Sequence, residues 1–301
     1  MTAITTAPLE VPLETPPERT PPNRFRALMR SPLMVVGAGL LVVLVLVAIF
    51  APLIAPYDPR AITGAALEQP SSEHWLGTDI PGRDIFSQLV YGARISLFVA
   101  IVGASLAIIG AILIGVVPAL IGGATDTISN RFTVFLLALP GLPLIVLISA
   151  LAGPSQAAII LVIATSGIAP NARVLRAEAL TLRNSGFITA ARGFGGGRLY
   201  VVRRHLLPAL GPIILVGFVN WASTAIALEA ALTFLGLGDP SASSWGLMLN
   251  RALAQQSIYF SPMWTWWVLP PGIAITLAIL SFAFVGIALE PVFNPRWLRS
   301  S

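Results

Sequence analysis

The chain has 301 residues, 56 % of them hydrophobic and only 10 % charged, with a mean hydropathy of +0.84. Soluble domains carry about 25 % charged residues, so this composition excludes an ordinary soluble enzyme and points to the membrane. The formal charge is +5 and every basic residue is an arginine, but the arginines flank apolar runs instead of forming a patch with interleaved aromatics, which argues against nucleic-acid binding. With no cysteine there is no disulfide or thiol chemistry, and two histidines, His74 and His205, do not make a histidine metal site.

Residues 1–30 are rich in Pro, Thr and Glu and end in Arg24, Arg26 and Arg30. Low hydrophobicity and dense proline predict a disordered tail. It is too long and too acidic for the leading region of a signal peptide, so the first span is expected to stay uncleaved. Ser31–Tyr57 is uncharged and long enough to cross the roughly 30 Å hydrocarbon layer. Arginines precede it and Asp58 follows, so the chain is expected to cross outward there, since Arg-rich short segments stay on the cytoplasmic side.

The segment 58–94, with five acids against three arginines, reads as an external loop. Thr78 or Asp79 is placed to cap a helix with Pro81 near its first turn, and Ile85, Phe86, Leu89 and Val90 would form its apolar face. Ile95–Thr125 is the second span, closed by a turn at Gly122, Gly123 and Asp126. Phe132–Ala172 is uncharged over 41 residues, enough for two spans broken at Gly153-Pro154.

From Arg173 to Arg204 the chain carries seven arginines and one acid, Glu178, which predicts a cytoplasmic segment, 173–207. Within it Asn184 or Ser185 can cap a short helix. Phe187, Ala190/Ala191 and Phe194 follow at i, i+3/i+4 and i+7, on one face. Gly193, Gly195, Gly196 and Gly197 stop it. A helix of about two turns is unstable alone, and it reads either as an amphipathic turn resting on headgroups or as a knob for another protein's groove.

Pro208 opens a fifth span that runs to about Leu235. Glu229 lies within it, and two readings stand: a group lining or gating a path, or a carboxylate near the external interface within reach of water. A Gly/Pro/Ser-rich external segment, Leu232–Asn250, follows. Trp264, Trp266 and Trp267 then suggest an interfacial aromatic belt, ahead of a sixth span at about Trp267–Leu289. Arg296 and Arg299 place the C-terminus inside. No phosphate loop, H-E-x-x-H or G-x-S-x-G is present.

Three blocks resemble the permeases of ABC importers, and most closely their dipeptide, oligopeptide and nickel branch. One is HWLGTDIPGRDIFSQLVYGARISL (His74–Leu97), with Trp75 and Pro81 departing from the commonest residues. A second is Phe-Leu-Gly-Leu-Gly leading to Ser-Trp-Gly within Leu232–Asn250. The third is Ala190, Ala191, Gly195, Leu207 and Pro208, with Thr189 where the family often has an acid. Together they cover about residues 70–297.

The resemblance implies an all-α polytopic fold of the type I ABC importer permease class, with six transmembrane helices over 31–301 and both ends cytoplasmic in the cell membrane. It implies a peptide importer subunit, with nickel or oligosaccharides as alternative cargo. Partners would be a second permease, two ATPase subunits or domains that bind ATP and Mg, and an external solute-binding protein. This chain would hydrolyse nothing and hold no cofactor or metal. Phe187, Thr189, Ala190, Ala191, Phe194, Gly195, Leu207 and Pro208 would couple to the ATPase. Gly77, Asp79, Gly82, Arg83, Asp84, Trp245 and Gly246 would form an external gate or docking surface. An ATP-independent secondary transporter or channel, and a membrane scaffold without a path, are the rival classes.

Overall fold

A computed structural model describes residues 31–139 and 141–293. The expected disordered tail, and the arginines 296 and 299, lie outside the described residues. Helices dominate: α1 (Pro32–Ile49), α2 (Ala51–Ile54), α3 (Ile85–Ala111), α4 (Val117–Ile121), α5 (Gly123–Ala138), α6 (Gly141–Ala152), α7 (Gln156–Arg183), α8 (Gly186–Gly193), α9 (Arg198–Val201), α10 (Leu207–Phe234), α11 (Trp245–Leu253), α12 (Trp264–Trp267) and α13 (Leu269–Phe293). Among the described residues the only β pairing is a single bridge between Thr78 and Asp84.

Five continuous helical stretches are long and apolar enough to span: Pro32–Ile49, Ile85–Ile121, Gln156–Arg183, Val202–Phe234 and Trp264–Glu290. The expected third span is the exception. It is divided into α5 and α6 on either side of residue 140, so the six-span count holds only if this broken pair is taken as one crossing. The break before α7 falls where Gly153-Pro154 predicts it. Gly153 has φ +79°, and Ser155 caps α7 by accepting from the Ala158 N–H at 3.1 Å.

Two spans stay continuous through a proline by way of a π turn. The 37-residue stretch from Ile85 to Ile121 contains a π turn at Ile112–Val116, closed by Val117 N–H donating to Ile112 O. The helix through α9 and α10 contains another at Val202–Leu206, closed by Leu207 N–H donating to Val202 O. Each π turn is followed two residues later by a proline, Pro118 or Pro208. Proline has no N–H for the carbonyl four residues back and its ring collides with it, and a wider turn relieves that clash. Pro208 therefore lies within a continuous helix instead of opening one. The carbonyl that Pro118 leaves without a partner, that of Ile114, accepts from the Ser129 hydroxyl.

Lipid supplies no hydrophobic drive for helix association, so spans pack through small residues that permit close approach. Along α3, Ala93, Ser96, Ala100, Ala104, Ala107 and Ala111 are buried on one stripe. A Cβ on Gly103 would come within 2.9 Å of Ile163, and one on Gly115 within 2.5 Å of the Ala172 carbonyl. The buried side chains form two clusters. The larger joins α3, α7, α10, α11 and α13. The smaller gathers Val116, Ala119, Leu175, Ala179, Ile188, Val201, Leu206 and Leu210 at the arginine-rich end.

Candidate functional site

Helix α8 stands on the smaller cluster. Ile188 is fully buried there, and Ala191 packs against it partly. Phe187 is 48 % exposed and Phe194, just past the helix, 93 %, and Thr189 and Ala190 are exposed too. An apolar side chain of phenylalanine size is seldom left this open without a partner or lipid to cover it. Phe187, Ala191 and Phe194, with Gly195–Gly197, Tyr200 and His205, line an open groove of about 670 Å³. Tyr200 and His205 meet edge to face at 5.6 Å.

The groove's shape follows from how α8 starts and stops. Neither expected cap residue caps it by its side chain. Asn184 ends α7, its N–H bonding Leu182 and Thr181 carbonyls. The Ser185 hydroxyl turns back to donate to Leu182 O at 2.6 Å, which leaves only its carbonyl to accept from Thr189 N–H at 3.1 Å. The stop is as expected. Gly195 adopts φ +84° and the Gly196 N–H donates to Ala191 O at 3.0 Å, a left-handed cap that glycine takes without steric cost.

The base of this end is tied by charge. Arg176 reaches Asp126 through Nε–Oδ1 at 2.7 Å and Nη2–Oδ2 at 2.8 Å, a fork-on-carboxylate pair. That bond, more than the nearby charge, holds the Asp126 carboxyl below its ordinary value. Arg183 Nη1 donates to Ala119 O at 2.8 Å, joining the end of α7 to α4. Of the residues expected at the coupling site, Phe187, Ala191, Phe194 and Gly195 share the groove, and Thr189 and Ala190 lie on the same helix. Leu207 and Pro208 do not line it, sitting in the first turn of α10 behind the π turn.

At the opposite end, residues 55–84 fold into a cap over α3 and α11. Gly77 (φ +70°) and Gly82 (φ +89°) make its turns, and a Cβ on either would lie within 2.3 Å of a carbonyl oxygen. The expected helix start at Thr78 or Asp79 is displaced to Asp84. Its Oδ2 accepts from Ser87 N–H and Ser87 Oγ, both at 2.7 Å, while Oδ1 lies 3.0 Å from His74 Nδ1. Asp79 instead takes Arg83 N–H at 2.8 Å and Gln88 Nε2 at 3.0 Å. Trp245 Nε1 donates to Leu89 O at 3.0 Å.

Most of the residues expected to present an external surface thus turn inward. Asp79, Asp84 and Trp245 are at most 2 % exposed, and Gly77, Gly82 and Gly246 are buried; only Arg83 is half-buried. Glu229 is 1 % exposed and accepts from Ser96 Oγ at 3.0 Å, so within this chain it links α10 to α3. Of the expected tryptophan belt, Trp264 is 51 % exposed, but Trp267 is in the core at 2 %. Sequence reasoning missed Ile188, which lies off the aromatic face, and Arg251, an isolated charge in an apolar stretch.

Residues 107–299 match the binding-protein-dependent transport system inner membrane component family. Residues 23–71 match the N-terminal transmembrane domain of oligopeptide transport permease C. The dipeptide transport system permease protein DppC of Alkalihalophilus pseudofirmus is 35 % identical over 301 residues, covering 95 % of this chain and 97 % of its own length. The protein of the same name in Bacillus subtilis is 32 % identical over 281 residues, covering 92 % and 86 %. Given spans packed through small residues and a match across most of its length, this chain belongs to the family of inner-membrane components of binding-protein-dependent transport systems.

Proposed function

We propose that the chain is one permease subunit of an ATP-driven peptide importer, and that the groove beside α8 receives its ATPase. The observation that carries this is the groove itself: an amphipathic helix rooted by Ile188 and offering Phe187 and Phe194 to a partner. Relatives named for dipeptide transport support the cargo class. The arginine-rich end would face the cytoplasm, by the retention of basic segments there. ATP and Mg would bind the ATPase, and this chain would pass on its motion. Closure of two ATPases would pull α8, and α8 would carry the smaller cluster with it through Ile188. A second permease would complete the path, and an external binding protein would deliver peptide.

Phe194→Ala and Ala190→Glu test the contact, since both positions are exposed and neither variant disturbs the chain's own packing. A buried aromatic anchor at an interface is worth about 2 kcal/mol, roughly 30-fold in affinity. Both variants should insert normally, lose copurifying ATPase and take up little dipeptide. Full ATP-dependent uptake by both would refute the reading.

A further inference from the structure

At the cap end, away from the groove, Arg83 and Arg251 both border the Asp79–Gln88 pair. Arg83 follows the Gly82 turn, and its backbone is fixed on both sides: its N–H donates to Asp79 Oδ1 at 2.8 Å and its carbonyl accepts from Asp79 N–H at 2.9 Å. Its side chain is half-buried, and Nε is enclosed with no hydrogen-bond partner among the described residues. Arg251, in the last turn of α11, donates through Nη2 to Pro240 O at 2.6 Å. Its Nη1 makes only a long contact, 3.4 Å, with Gln88 Oε1.

The one carboxylate beside both is already committed. Asp79 is 2 % exposed and holds the Arg83 backbone with one oxygen and Gln88 Nε2 with the other. Among the described residues the ion pairs are His74–Asp84 and Asp126–Arg176, and neither Arg83 nor Arg251 belongs to one. Burial, together with the Arg83 charge, lowers the Arg251 pKa from its ordinary value. A guanidinium is a planar fork suited to two-point capture of a carboxylate, and a half-buried one gains more from such a partner than one in bulk water.

We infer that Arg83 and Arg251 form a carboxylate-binding site on the cap, and, resting on the peptide-importer reading above, that it serves the cargo on its way in. The carboxylate comes from one of two sources, the C-terminus of the peptide or an acidic side chain of the external binding protein.

The first experiment needs no transport. The purified chain in lipid nanodiscs is labelled with phenylglyoxal and each arginine is followed by mass spectrometry, with exposed Arg60 as the internal reference. N-acetylglycine should slow labelling of Arg83 and Arg251 several-fold relative to Arg60, and N-acetylglycinamide at equal ionic strength should not. Equal labelling with both overturns the site, whatever the protein transports. The second experiment compares uptake of dialanine and its C-terminal amide by cells carrying Arg83→Gln or Arg251→Gln. Loss of preference for the free acid identifies the cargo as the source. An equal fall for both, with weaker capture of the binding protein, identifies the protein acid. Protection in nanodiscs with neither change in cells overturns the site's role in transport. Wild-type cells that take up no dialanine would count against the peptide reading alone, leaving the labelling result standing.

Discussion

Asp79 and Asp84 are five residues apart in one motif, and the fold sets them to different work. Asp84 starts α3 and pairs with His74; Asp79 braces the Arg83 turn. Gly246, where α11 packs on α10, leaves no room for a side chain, because a Cβ there would lie 2.1 Å from Thr233 Oγ1 and 2.3 Å from Ala230 O. Gly246→Ala should therefore destabilise by about 1–3 kcal/mol through overpacking, seen as a lower unfolding midpoint in detergent. Asp126 gives a pH signature. Its folded-state pKa is held below the ordinary value by the Arg176 bond, so its contribution is complete above the unfolded-state pKa and is lost as pH falls through the folded one. Asp126→Asn should lose about 0.2–1 kcal/mol near neutral pH and the gap to wild type should shrink as the medium is acidified below the ordinary aspartate range, read by unfolding midpoints across pH. The motifs singled out Asp79, Asp84 and Trp245 as part of an external gate or docking surface. Their inward direction was not legible, because it depends on turns at Gly77 and Gly82 that bring residues 63–68 against 77–82.

For whole elements, apolar length announced the spans and glycine announced the end of α8. What the sequence left hidden were features decided between elements. The start of α3 moved from residue 79 to 84 because residues 77–84 are engaged in the cap, and the two π turns appear only where a proline sits inside a helix that packing keeps continuous. The α8 face illustrates both sides. Its aromatics stand at helical spacing, yet the residue that secures it is Ile188, between them. Ile188→Ala should cost about 2–5 kcal/mol locally, and because α8 is short the loss should appear as faster amide exchange over 186–193 with the spans little changed. If exchange there stays at the wild-type rate, Ile188 is not what roots α8.

The molecule as a whole has two packed regions joined by α3, α7 and α10, with the cap on one and α8 on the other. In the proposed transport cycle, motion imposed at α8 would reach the cap through those three helices. A π turn holds one residue more than a regular turn, and here lies a constraint on length. Removing one residue from Ile112–Val116 would let the hydrogen bonds close regularly and would leave the helix on either side in phase, but it would bring the Pro118 ring back against the carbonyl four residues before it. The chain with the more regular helix should be the less stable one, and a compensating insertion between Ile121 and Gly123 should not rescue it. At this position the surplus residue acts as clearance: it gives the proline ring room while the helix on either side keeps its phase.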